Sequence, residues 1–553
     1  MTDEMDFSGQ YEHEVEIHHD SLGDIGKGTL SFGSEHWPHV SFKDWHVSAR
    51  LGEGTHRRIR ATTSDGEVFS LFNCKVTGFG LSADYVIAGD VNDEFKCIKV
   101  RFTDIFDWFM PFRSYEDKIN PDSERNAKQK QLEVVVKTEK QAFKLSSQPI
   151  LITSGSGEDH LIHEHILFSF ERLDTDFRLE DLKNRIHELS TLLSILIAYP
   201  TSIASVRVTC EDGRSHGVFF PSPKKKERKV GREFSWNEGF ISKHALDDCW
   251  QSVFDRYYRS EYREVLWVRL AGMQRYEGFW EYSALGYVSL LDKYVSQRSV
   301  GQKKAASKKE LVKDDKLKTA LQALAPPLAE TQIEGLLLII DKFFMGGKKL
   351  NFRQKYDYVL SVTDAEIIKI VNLSDSDFNE IKKIRDAVAH GDAPQLIDSD
   401  YSRVGIIVSK IALLLTYWAF LDFGIGTDKF LTCLVHSHSS LKLRAVINRL
   451  ELTRTTRPDD VFSVPSDQFE KFSKIKGIQT QACFTQDGGG KIEYSEQQVA
   501  ALREWYKKGI SGILPVDEIF GAPTSQIRCV GHGYIECGND TIELIQAYII
   551  KID

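Results

Sequence analysis

The sequence predicts an α+β protein in three parts: a β-rich N-terminal half, an all-α helical bundle and a small mixed C-terminal part. Three observations carry this. β-branched and aromatic runs separated by turn signals fill residues 1 to 240. Helical periodicity takes over across 241–425. Short strand-like and helix-like stretches mix across 426–553. With 553 residues the chain is too long for one core, which suits about three domains.

In the N-terminal part, LEVVVKT (132–138), KCIKVRF (96–102) and HILFSFERL (165–173) read as strands. SLGDIGKG, RLGEGT and TTSDGE punctuate them as turns. A helix is expected over 179–199, with Pro200 stopping it. SVRVTCEDGRSHGVFF then reads as a hairpin turning at Asp212-Gly213. The basic run Lys224–Lys229 reads as a solvated loop, with a phosphate-contacting loop as the sharper alternative.

In the bundle, Trp280, Ala284, Tyr287, Leu291 and Tyr294 fall at three- and four-residue steps and form one apolar stripe. The charged stretch 301–316 reads as a linker. Val404–Phe423 has the apolarity of a membrane span, but Lys410 interrupts it and Asp422 ends it, so a buried core helix is expected. In the last part, 496–508 reads as an amphipathic helix, while DTIELIQAYIIKID suits strand or helix equally.

The formal charge is −9, so any nucleic-acid contact must be local to a cleft or patch. Eight cysteines without a CxxC pair, and an N-terminus without an apolar core, point to a reducing cytoplasmic setting and no membrane. No nucleotide-binding glycine loop and no GxSxG occur, so neither a cofactor nor a serine nucleophile is expected.

The chemistry-bearing candidate is Arg385-Asp386-Ala387-Val388-Ala389-His390. Spacing alone is weak: with 17 histidines in 553 residues, chance supplies roughly one R-x4-H pair. Arg50 and His56 make a near match in a glycine-rich β setting and carry no weight. Context favours 385–390. Phe378, Ile381, Ile384 and Val388 form one helical face, Ser374 or Asp375 can cap the start, and Gly391 suits a left-handed stop. Asp386 and His390 share a face, whereas Arg385 lies about 140° around the helix from His390. Two copies of the helix in a symmetric dimer can pool these side chains.

The residue types suit RNA cleavage by the neighbouring 2′-hydroxyl. Histidine exchanges protons near neutrality, with the helix C-terminus favouring its acid form. Arginine binds phosphate in two places, and Asp386 can orient either partner. The competing reading is a surface cation and a helix-end cap.

IKKIRDAVAHGD (381–392) resembles the signature of the HEPN superfamily: an Arg, a polar residue, an apolar stretch, then His-Gly. A β-rich half before such a bundle resembles the ApeA family of anti-phage abortive-infection effectors. The resemblance implies a dimerising bundle and a metal-independent endoribonuclease that leaves a cyclic phosphate. It further implies Arg385 and His390 as catalytic residues, host RNA with tRNA as the target, a homodimer or higher homo-oligomer, and a phage-derived trigger sensed by the β-rich half. Some HEPN enzymes carry a Tyr soon after the His; here the next is Tyr401, to which no role is given. The alternative function is a catalytically silent HEPN module for dimerisation and ligand binding, with a partner-binding β-rich half.

Two histidine-bearing groups are candidates for metal ligation. His160, His163 and His165 cluster without a completing Cys or carboxylate and read as surface or packing residues. Cys433, His436 and His438, with Cys529, His532 and Cys537, have no familiar zinc spacing and read as unligated.

Overall fold

A computed structural model of the chain describes residues 5–34, 36–110, 131–139, 141–156, 159–223, 238–302, 316, 318–323, 328–343, 350–392, 400–507 and 516–552. The basic run 224–229 and most of the charged stretch 301–316 lie outside the described residues. The contacts divide the chain into two compact units: Met1–Val359 with Asp375–Ala445, and Leu360–Ser374 with Val446–Asp553.

The first unit begins with a closed barrel. Strands Gln10–His19, Gly23–Gly33, His39–Phe42, Gly80–Ser82, Val68–Thr77 and Thr55–Thr63 pair antiparallel in that order, and the last returns to the first. Closure removes the exposed edge that an open sheet leaves. The period-2 pattern is plain in Gln10–His19, where Val15 and Ile17 are buried while Glu14 and Glu16 are exposed.

Val68–Thr77 also pairs with Tyr85–Ala88, and from there the sheet continues antiparallel. Its further strands are Ser215–Phe219, Ile203–Thr209, Cys97–Phe102, Asp159–Arg172, Gln141–Ser156 and Glu133–Thr138. The hairpin at 203–219 forms as expected, with Gly213 in the left-handed region at φ 78°. The edge strand Glu133–Thr138 is covered by helix Trp250–Arg259. The Gln251 amide there donates to the Val135 carbonyl at 2.8 Å and accepts its N–H at 2.9 Å.

Helix Leu179–Ile197 ends at Ala198, which turns left-handed at φ 51°, two residues ahead of Pro200. Leu192, Leu193, Ile195, Leu196 and Ile197 are fully buried. His187 on this helix is pushed down to about 4, first by burial and then by the charges of Lys183 and Arg275.

The segment 262–297 is broken rather than continuous. A π-type turn at Arg263–Trp267 leads into helix Val268–Met273, and helix Trp280–Arg298 starts afresh after Gly278. On that last helix Ala284, Leu291 and Tyr294 are buried, and Tyr294 stacks on Trp418 with centroids 4.6 Å apart. Helices Phe352–Ser361, Asp375–His390 and Asp400–Asp422 follow.

Tyr401–Asp422 is long and apolar enough to cross a membrane, yet 78% of its most apolar window is buried inside the fold. It acts as the core helix of the bundle. Lys410 on it is 8% exposed. Asp422 accepts hydrogen bonds from Ser260 and from the Trp267 indole, the latter at 2.7 Å, and burial pushes its carboxyl up.

The second unit holds a five-stranded mixed sheet. Its order is Val461–Ser463, Ile527–Cys537, Asp540–Lys551, Ala482–Gln486, Ile492–Tyr494, with two parallel pairings. The ambiguous stretch 540–551 is therefore strand. Helix Glu496–Lys507 buries Val499 and Leu502 beside this sheet.

Candidate active site on the motif helix

Helix Asp375–His390 is anchored by the face its spacing predicts. Phe378, Ile381 and Ile384 are buried, and Val388 is half-buried. Phe378 stacks on Tyr356 at 4.4 Å and leans on Phe352 at 4.9 Å. The helix stops as Gly391 predicts. Gly391 sits at φ 81°, its N–H reaches the Val388 carbonyl at 3.2 Å, and the Asp392 N–H reaches the Ala387 carbonyl at 2.9 Å. These two bonds are the paired closure of a Schellman stop, which makes His390 the C-cap residue. His390 is exposed, and among the described residues no hydrogen bond or ion pair reaches it.

Arg385 has the opposite surroundings. Its side chain is 25% exposed and its guanidinium lies 5.3 Å from the centroid of the Phe352 ring. One nitrogen is 3.4 Å from Asp292 on helix Trp280–Arg298, and another is 3.1 Å from Asp386. Lys382 donates to the second Asp386 oxygen at 3.0 Å. Behind Asp292, Ser296 donates to its other oxygen at 3.2 Å, and Lys355 donates to the Ser296 hydroxyl at 2.9 Å. Arg385 thus meets both carboxylates, Lys382 shares Asp386 with it, and Lys355 approaches Asp292 through the Ser296 hydroxyl. Such a cluster can exchange a carboxylate for a phosphate oxygen.

Of the three residues the sequence singled out, the fold brings Arg385 and Asp386 together. His390 lies five residues on, about 7.5 Å further along an ideal helix and about 140° around it. No hydrogen bond or ion pair links it to either within the chain. Sequence reading missed Asp292, Ser296, Phe352, Lys355 and Lys382. Lys382 had a signal, standing four residues before Asp386. The others come from separate helices, and no spacing announces them.

The remaining candidates fall elsewhere. Arg50 donates to the Ile25 carbonyl at 3.0 Å and so serves barrel packing. His56 faces His19 at 3.2 Å. His163 and His165 lie on strand Asp159–Arg172, the first exposed and the second half-buried; the side chain of His160 is outside the described residues. Cys433 is buried in helix Thr427–His436, while Cys529, His532 and Cys537 run along strand Ile527–Cys537. Among the described residues no three His, Cys, Asp or Glu side chains are placed to hold a metal.

Residues 5–257 match ApeA N-terminal domain 1, and residues 285–429 match the Apea-like HEPN domain. No curated protein and no solved structure matches the chain. The barrel and the open sheet fall within the first match, and the motif helix with its Arg385 cluster within the second. The chain is therefore an ApeA-like HEPN protein, with a β-rich ApeA N-terminal domain preceding its HEPN bundle.

Proposed function

We propose that this protein is an antiphage effector whose HEPN bundle is a metal-independent endoribonuclease, cutting host RNA, tRNA foremost, to abort infection. One observation carries the reading most strongly. Arg385 is held as a half-buried cation beside exchangeable carboxylates, while the His390 imidazole is exposed at the end of the same helix and meets no partner among the described residues. A structural pair would spend both groups on packing.

The chemistry follows from the residue types. A substrate phosphate displaces Asp292 or Asp386 from Arg385, whose planar fork takes two phosphate oxygens. The 2′-hydroxyl oxygen attacks phosphorus, its proton passes to a base, and the bond to the 5′-oxygen breaks. His390 protonates that leaving oxygen, a role its place at a helix C-terminus favours. The products are a 2′,3′-cyclic phosphate and a 5′-hydroxyl. Arg385 offsets the charge that builds on the phosphorane. The angular offset between Arg385 and His390 calls for a second copy of the helix, so the working form is a homodimer or larger. In this scheme the ApeA N-terminal domain receives a phage-derived trigger.

The test is cleavage of a total tRNA preparation by purified protein, with and without EDTA. Cleavage should persist in EDTA, should yield 2′,3′-cyclic phosphate ends, and should vanish in Arg385→Ala and in His390→Ala. Full activity in either variant, at unchanged fold and oligomeric state, refutes the site.

A further inference from the structure

A cavity of about 470 Å³ lies at the seam between the N-terminal domain and the bundle, inside the first unit. One wall is the Ala198–Pro200 turn that ends helix Leu179–Ile197. Another is helix Val268–Met273 with the chain that follows it. The others are helices Trp280–Arg298, Asp400–Asp422 and Ser440–Ala445. The seam is tied by Arg275, which donates to the Ser202 hydroxyl at 3.0 Å and to the Thr201 carbonyl. The size is that of a small-molecule pocket.

The lining is chemically one-sided. Tyr199, Tyr276 and Tyr287 supply aromatic rings, and Met273, Leu270 and Ala412 supply apolar wall. Ser283, Ser402, Ser409, Ser440 and Thr416 bring hydroxyls. Ser409 and Thr416 donate to carbonyls of their own helix, at 2.8 Å each, so their oxygens remain as acceptors. Among the described residues Arg444 is the one cation lining the cavity and no carboxylate lines it, in a protein with more acidic than basic residues. The Arg444 charge reaches Tyr287, where it opposes the rise that burial gives that phenol. Ring-faced walls, sugar-compatible hydroxyls and a single exposed guanidinium without a competing acid fit a planar ring joined through a polyol to one phosphate.

We infer that this cavity binds a nucleoside monophosphate unit, its base among Tyr199, Tyr276 and Tyr287 and its phosphate on Arg444. The unit is either a free mononucleotide or an unpaired terminal nucleotide of an RNA chain. Its occupant touches the end of the N-terminal domain and three bundle helices at once, so binding strengthens the seam. The site does not include Arg385 or His390, and the inference stands whether or not the bundle cuts RNA.

Calorimetric titration of the full chain with AMP, GMP, CMP and UMP tests it. At least one should bind, with adenosine-type nucleosides and inorganic phosphate each at least about tenfold weaker. Arg444→Glu removes the phosphate anchor. Gly405→Leu fills the cavity from helix Asp400–Asp422, where an added Cβ meets no atom within 4 Å, so the fold tolerates it. Each should weaken binding at least about tenfold with an unchanged melting temperature. Competition by a short 5′-phosphorylated single-stranded RNA assigns the unit to an RNA end; failure to compete assigns it to a free nucleotide. No binding by any of the four at about 1 mM, or binding unchanged in both variants, overturns the inference.

Discussion

The β-rich domain and the bundle each carry an arginine shortly followed by a histidine, and the two pairs end in different circumstances. Arg50 closes helix Trp45–Leu51 and donates to a backbone carbonyl, while His56 lies on the next strand against His19. Burial lowers the pKa of His56, with the neighbouring His19 adding to the effect. Arg385 and His390 share one helix, with the arginine among carboxylates and the histidine exposed at the cap. The lesson is that spacing does not separate a structural pair from a chemical one. What separates them is the setting: Arg50 is spent on a backbone carbonyl and His56 on a packed histidine pair, whereas Arg385 sits among carboxylates a phosphate can displace and His390 is exposed.

Substitution gives the largest contrast. Arg385→Ala and His390→Ala should each lower RNA cleavage by at least about 100-fold in a single-turnover assay. Arg50→Ala and His56→Ala should leave the rate per folded molecule within about twofold. Loss of cleavage from the β-domain variants at full folding would break the comparison.

Asp386→Asn sharpens it within the bundle. The substitution removes the charge that holds Lys382 and Arg385, and should lower kcat by about tenfold with little change in KM, since Arg385 keeps its own charge for phosphate. A change confined to KM would assign Asp386 to substrate binding instead.

Acid separates the two regions by what it damages. His187 is held near 4 in the fold, against about 6.5 when unfolded. The folded state therefore resists a proton that the unfolded state takes up. Stability is unaffected above pH 6.5, falls as the pH drops through 6.5, and stops falling near 4. Between pH 6.5 and 5 the loss should be about 1–2 kcal/mol, read from urea unfolding, and His187→Leu should remove that slope. A slope unchanged in the variant would place the acid sensitivity elsewhere.

The smallest effect is at the helix stop. Gly391→Ala puts a Cβ on a left-handed residue with open space around it, so strain alone acts, costing about 1 kcal/mol in thermal unfolding. Cleavage should fall more than stability does, because the same turn sets where the His390 ring points. Equal losses would make His390 a cap and nothing more.

Much of the fold was legible in the chain because local patterns report local structure. The strands at 132–138, 96–102 and 165–173, the hairpin at Asp212-Gly213 and the helix ending before Pro200 all appear where alternation and turn residues put them. Barrel closure was not legible, since it depends on Gln10–His19 pairing with Thr55–Thr63 and His39–Phe42 pairing with Gly80–Ser82, strands far apart in the chain. The break at 274–279 falls on QRYEGF, where Gly278 was the local signal and the aromatic step from Tyr276 to Phe279 masked it. The stretch 540–551 had no decisive period, and pairing with 527–537 and 482–486 made it strand.

By itself the sequence determined the motif helix: its buried face, its left-handed stop at Gly391 and the presence of Arg385, Asp386 and His390 within one turn and a half. Those are properties of residues within five positions of one another, and helix geometry alone relates them. Only the tertiary structure decided the electrostatic setting. Asp292 lies 93 residues from Arg385 in the chain, and Phe352 and Lys355 come from a third helix. Contacts between helices depend on how their apolar faces pack, and packing is chosen by the whole core at once rather than by any one segment.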